Sequence, residues 1–143
     1  MATREKPLIL VVDDEPDLLE ISKARLEAAG FVVETAIDAE TSFIKARKLK
    51  PDLVLMDIRM PGINGTEALL DFKNDPELKG IHVAFLTSLA IPWPGVSVEN
   101  DKFAKELGAV TLLDKTKDLD NLAELSKKML AEIHRDDPEW KTV

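Results

Sequence analysis

The residues best suited to chemistry in this chain are three consecutive acids, Asp13, Asp14 and Glu15, which directly follow the apolar run Leu8 to Val12. Three more apolar runs end on polar residues: Leu53 to Met56 leads into Asp57, Val83 to Leu86 into Thr87 and Ser88, and Val110 to Leu113 into Asp114 and Lys115. Two carboxylates about 4 Å apart repel by roughly 4 kcal/mol at an effective dielectric constant near 20, so an acidic cluster is tolerated chiefly beside a cation. All-oxygen donors favour Mg2+ or Mn2+. Next to such an ion one carboxylate can act as a nucleophile toward a phosphoryl group while a hydroxyl and an ammonium hold the phosphoryl oxygens. Asp57, Thr87 and Lys115 suit these three roles.

Each residue also has a purely structural reading. Asp13 and Asp14 precede Pro16 and could cap a helix. Asp57 could open the turn that Pro61, Gly62, Asn64 and Gly65 mark. Thr87 could be a cap and Lys115 a surface lysine. The arrival of all of them at the ends of apolar runs favours the chemical reading.

The elements that must position these residues can be read from the pattern. The four runs are short and rich in aliphatic residues, as strands buried on both faces are. A fifth run, Phe31 to Ala36, carries Glu34 and Thr35 and suits a sheet edge. Segments of helical period lie between the runs. The first opens at Pro16 and stops at Gly30, with Leu18, Leu19, Ile21, Leu26 and Ala29 assigned to its inner face. The second starts at an Asp38 cap and ends in cations before Pro51. The others cover about Gly65 to Asn74, Glu99 to Leu107 and Leu119 to His134, and the tail from Asp136 to Val143 reads as loosely ordered. Strand and helix alternate five times, which predicts an α/β fold: a five-stranded parallel sheet flanked by five helices, in the order 2-1-3-4-5. Ligands then bind outside the carboxyl ends of strands one and three.

Composition limits the alternatives. The 143 residues are enough for one core, expected over residues 7–134 with tails at 1–6 and 135–143, and there is no cysteine. A formal net charge of -8 argues against direct nucleic-acid binding. The Leu8 to Val12 run is far below the roughly 20 residues of a membrane span. The opening residues do not read as a secretory leader, so a cytoplasmic location is expected. The loop after strand one is acidic where a nucleotide or flavin site needs a glycine-rich one. His82 and His134 read as structural, and neither suggests a metal site.

The segments ILVVDDEPDLL, PDLVLMDIRMPGINGTE, VAFLTS and GAVTLLDK, in this order, resemble the receiver domain of two-component response regulators, a flavodoxin-like (βα)5 fold, over about residues 7 to 134. The resemblance implies that Asp57 is the phosphoacceptor and that Mg2+ is held by Asp13, Asp14, Asp57 and the backbone carbonyl of Arg59. It implies that Thr87 reports the phosphoryl group and Lys115 pairs with it. It further implies a histidine kinase or histidine phosphotransfer protein as donor and a downstream protein target. The output surface would be formed by the fourth helix, fifth strand and fifth helix, through which a homodimer could also form. Such a domain is not a turnover enzyme on external substrates. A pseudo-receiver, an interaction module of the same fold that never takes phosphate, is the alternative.

Three features depart from that family. Thr116 follows Lys115 where proline is usual. Leu112 stands where an aromatic switch residue is common. An insertion, IPWPG, puts Trp93 between Pro92 and Pro94, making Trp93, with Thr87 and Leu112, a switch candidate.

Overall fold

Runs of aliphatic residues with no polar interruption can be buried on both sides in the middle of a sheet, and two of them form its centre. In a computed structural model of the protein, which describes residues 6–60, 62–87, 105–115, 118–137 and 140, β1 (Leu8–Val12) and β3 (Leu53–Met56) are buried along their whole length. They pair in parallel, with Val12 opposite Met56. Strand β2 (Val32–Ala36) flanks β1, while β4 (Val83–Thr87) and β5 (Leu112–Asp114) follow β3. The order is β2-β1-β3-β4-β5, all parallel, as the sequence predicts. The run with Glu34 and Thr35 is on the edge, where both are half-buried and Val32 is exposed.

Alternate residues of the sheet feed two cores. Leu10, Val12, Val54, Met56, Val83 and Phe85 face α2 (Ala39–Leu49) and α3 (Gly65–Asn74), meeting Ala46, Leu69 and Phe72. Ile9, Val11, Leu53, Leu55, Ala84 and Leu86 face α1 (Pro16–Ala28) and the last helix, Leu122–Ile133, meeting Leu26, Leu122 and Leu130. Each fully buried side chain of this size contributes about 1.5–3 kcal/mol relative to exposure.

Several boundaries and faces differ from expectation. Strand β5 begins at Leu112, not Val110. Val110 N–H and Thr111 C=O still bond β4, to Val83 C=O at 2.8 Å and from Phe85 N–H at 3.0 Å, but regular pairing starts only with Leu112. On α1 the buried residues are Leu19, Ser22 and Leu26, and Ile21 is exposed. At about 100° per residue Ile21 lies roughly 160° from Leu19 around the helix, while Ser22 lies on the Leu26 line. The last helix is preceded by a 3-10 turn, Leu119–Asn121.

Of the expected tail, residues 136, 137 and 140 are described. Trp140 packs against the core beneath α1 and the last helix, and its ring stacks on His134 at a centroid distance of 3.7 Å and an angle of 10°. Of the expected fourth helix, residues 105–107 are described and are helical. The rest of that segment, including Pro92, Trp93 and Pro94, lies outside the described residues, as does Thr116. Among the described residues no helix is long and apolar enough to cross a membrane.

The Asp38 side chain caps α2 by accepting from Thr41 N–H at 2.8 Å. That bond, with one from the Thr41 hydroxyl, holds its carboxyl below the usual carboxylate range. Asp38→Ala should therefore cost about 1 kcal/mol at pH 7. Because the folded-state pKa is the lower one, the contribution is complete above the ordinary value of 3.8 and is lost as pH falls through the folded value. Urea unfolding of both proteins at pH 7 and at about pH 3 should show the difference shrinking; an undiminished difference would contradict the ionised cap.

Candidate functional site

A parallel sheet with aligned registers brings its strand ends to one edge. Val12 pairs with both Ala36 and Met56, Met56 with Phe85, and Thr87 with Asp114, so the residues following β1, β3 and β5 emerge side by side. Two of these are tied to the ladder by their own backbones: Asp13 N–H donates to Ala36 C=O at 3.0 Å and Asp57 N–H to Val12 C=O at 2.9 Å. Both side chains are buried, with 3% of each residue exposed.

Asp13 and Asp14 do not cap α1. The N-cap of α1 is Glu15, with no side-chain capping bond, whereas α2 and α3 are capped by Asp38 and Asn64. Asp13 Oδ1 accepts from Glu15 N–H at 2.9 Å, which fixes the turn and aims Oδ2 into the pocket. Oxygens of Asp13, Asp14, Glu15 and Asp57 lie within 4.8 Å of one another.

Lys115 is not a surface lysine. Its side chain is 9% exposed, and its Nζ lies 2.7 Å from Asp13 Oδ2, 3.2 Å from Asp57 Oδ2 and 3.2 Å from Glu15 Oε1. Burial opposes the charge on Lys115, but Asp13 and Asp57 outweigh it and raise its pKa above the ordinary lysine value. Burial pushes the Asp13 carboxyl up, and the bonds from Lys115 and Glu15 N–H only partly counter this. Four carboxylates around one ammonium leave a formal excess of three negative charges. With these oxygens no more than 4.8 Å apart, the buried like-charge pair Asp13 and Asp57 repels by at least about 3 kcal/mol at an effective dielectric constant near 20.

The donor set fits a hard divalent cation. It is all oxygen, its charge exceeds what Lys115 neutralises, and the lysine ammonium itself sits among three of the carboxylates as a cation would. Asp14 is exposed, and no hydrogen bond or ion pair of its carboxylate is found among the described residues.

The remaining predicted residues take the following places. Arg59 is exposed, and its N–H donates to Asp57 Oδ1 at 3.3 Å. Thr87 closes β4 in register with Asp114; its side chain, like the whole of Trp93, lies outside the described part of the structure. Leu112 is half-buried against the core on the α2 and α3 side.

Two contributors carry no assigned role in the sequence reading. Glu15 contacts Lys115, a pairing across 100 residues that only the fold creates. Asp118 accepts from Asp114 N–H at 2.7 Å and donates its own N–H to Asp114 C=O, closing the loop that carries Lys115. An acid four residues beyond a strand end was the only available signal.

Fold and site define a receiver, and the comparison with known families agrees: residues 9–127 match the response regulator receiver domain, and the chain belongs to that family. It is 36% identical over 124 residues to Protein PilH of Pseudomonas aeruginosa, which covers 86% of this chain and 97% of PilH. It is 37% identical over 81 residues to Response regulator PleD of Caulobacter vibrioides, covering 57% of this chain but only 18% of the length of PleD. Among solved structures it is similar to a CheY-like response regulator receiver domain protein from Methanospirillum hungatei, with a TM-score of 0.76 and 30% identity over 92% of this chain and 99% of the other. The chemotaxis protein CheY4 of Vibrio cholerae gives a TM-score of 0.73 at 26% identity, with 87% and 98% covered.

The close approach of α3 to the Asp57 loop yields a direct test. A Cβ on Gly65 would lie 2.3 Å from the carbonyl oxygen of Asp57 and 2.7 Å from Ile58 Cα, both backbone atoms that cannot swing aside. Gly65→Ala should destabilise the protein by about 2 kcal/mol through backbone displacement. Urea unfolding measures this, and a change below about 0.5 kcal/mol would mean that the approach is looser than described.

Proposed function

We propose that this receiver accepts a phosphoryl group on Asp57 from a histidine kinase or histidine phosphotransfer protein and passes the signal on by protein contact. The observation that carries this reading is the buried Asp57 carboxylate, held beside Asp13 and Asp14 with the Lys115 ammonium 3.2 Å away. An Asp57 oxygen attacks phosphorus, the new O–P bond forms as the bond to the donor nitrogen or oxygen breaks, and the leaving group departs with that electron pair. Lys115 pairs with a phosphoryl oxygen and Thr87 donates its hydroxyl to another. Asp13, Asp14, Asp57 and the Arg59 carbonyl would hold Mg2+ or Mn2+, which when bound offsets the charge of acid and phosphoryl group.

The added group brings nearly two negative charges and three strong acceptors. Drawing Thr87 and Lys115 toward it shifts the ends of β4 and β5, and so the surface around β5 and the last helix. Leu112 cannot turn as a ring does, and the loop carrying Trp93 is the candidate substitute. The same surface is the proposed contact for a downstream target or a second copy, residues 7–134 being the signalling unit.

Intact mass after incubation with acetyl phosphate and Mg2+ should show one added phosphoryl group, absent in Asp57→Asn and in excess EDTA. Labelling of Asp57→Asn would overturn the nucleophile, and an unlabelled wild type would favour the pseudo-receiver reading.

The acidic pair should be unequal. Asp13 already holds Lys115 and Glu15 N–H, whereas Asp14 is exposed and uncommitted among the described residues. Asp14→Ala should weaken Mg2+ binding more than Asp13→Ala in calorimetric titration, because the latter also removes a partner that keeps the ammonium in the pocket. The opposite order would reverse the assignment.

A further inference from the structure

The ammonium of Lys115 lies where an incoming cation would have to go. Asp13 Oδ1 accepts from Glu15 N–H at 2.9 Å and Oδ2 contacts Lys115 at 2.7 Å. Asp57 is bound in the same manner, Oδ1 from Arg59 N–H at 3.3 Å and Oδ2 to Lys115 at 3.2 Å. A divalent ion drawn to these two carboxylates meets a like charge already between them, and the buried site screens their repulsion poorly. Lys115 must therefore give up Asp13 and Asp57 while its own charge remains in a largely buried side chain. An unpaired charge there would be costly.

Glu15 is the third partner and differs from the other two. Its side chain is 59% exposed, it reaches Lys115 Nζ at 3.2 Å from the solvent side, and it spends no side-chain bond on capping α1. We propose that Glu15 is a positioning residue for Lys115: when a divalent cation occupies Asp13 and Asp57, Glu15 keeps the ammonium at the mouth of the pocket, within reach of an arriving phosphoryl oxygen. The inference rests on the cation reading of the site and adds a role for a residue on its rim. Glu15 acts here through Lys115 and not as a ligand.

The test is a double-mutant cycle read by Mg2+ titration calorimetry on the full chain: wild type, Glu15→Gln, Lys115→Met and the double variant. Glu15→Gln should weaken Mg2+ binding about threefold, the size expected of a partly exposed ion pair. Lys115→Met should strengthen binding, since nothing then needs displacing. Adding Glu15→Gln to Lys115→Met should change the affinity by less than about 1.5-fold, because the residue through which Glu15 acts is gone. Equal weakening in both backgrounds would make Glu15 a ligand or a distant charge and overturn the proposal, as would no weakening in the wild-type background. Should Lys115→Met not fold, as judged by circular dichroism, Lys115→Gln closes the same cycle. A wild type that binds no Mg2+ would remove the cation reading together with this one, whereas Mg2+ binding without coupling between Glu15 and Lys115 would remove this one alone.

Discussion

The ion pair between Lys115 and the acids Asp13 and Asp57 is the interaction on which the upper edge of the molecule depends. It joins the ends of β1, β3 and β5. Without it, two buried carboxylates would face each other in a medium that screens them poorly. The aligned parallel register makes the pair possible, because it delivers three polar residues from distant parts of the chain to one line. The two hydrophobic cores hold that register. Packing at Leu55 or Phe85 and electrostatics at Asp57 are thus successive links in one arrangement.

Such an arrangement is poised, since its most buried cation is also its most replaceable one. A covalent ammonium serves as counter-ion for a pocket whose donors suit a divalent metal. The fold accepts an excess of negative charge there and keeps two of the four acids exposed, so that water screens part of the repulsion. The residues that depart from the family pattern, Leu112, Thr116 and Trp93, are not among the four acids of the pocket.

What could be read from the sequence was whatever depends on local period and on residue type at element ends. Uninterrupted aliphatic runs identified β1 and β3, the polar Glu34 and Thr35 put β2 on the edge, and Asp38 and Gly65 marked helix starts. The strand-end rule then gathered Asp13, Asp57 and Lys115 without coordinates. Three things were hidden. The α1 face was misread at Ile21, because hydrophobicity alone favours isoleucine over the buried Ser22, whose small side chain suits close packing. The start of β5 was set by pairing with β4 and not by its own apolar run. The Lys115 and Glu15 contact, like the docking of Trp140, depends on where distant segments meet, and no local pattern records that.

The stack of Trp140 on His134 gives the molecule two ends of different physical character. The last helix runs back from the strand ends, so its terminal His134 and the indole on it close the opposite edge of the sheet from Asp57. Added salt acts on charges and leaves ring stacking and apolar packing largely untouched. Ionic strength therefore bears unequally on the two ends: salt screens the exposed carboxylates of Asp14 and Glu15, while the stacked rings are left largely untouched. A receiver built in this way is open to its ionic surroundings at its charged edge and closed by apolar contact at the far one.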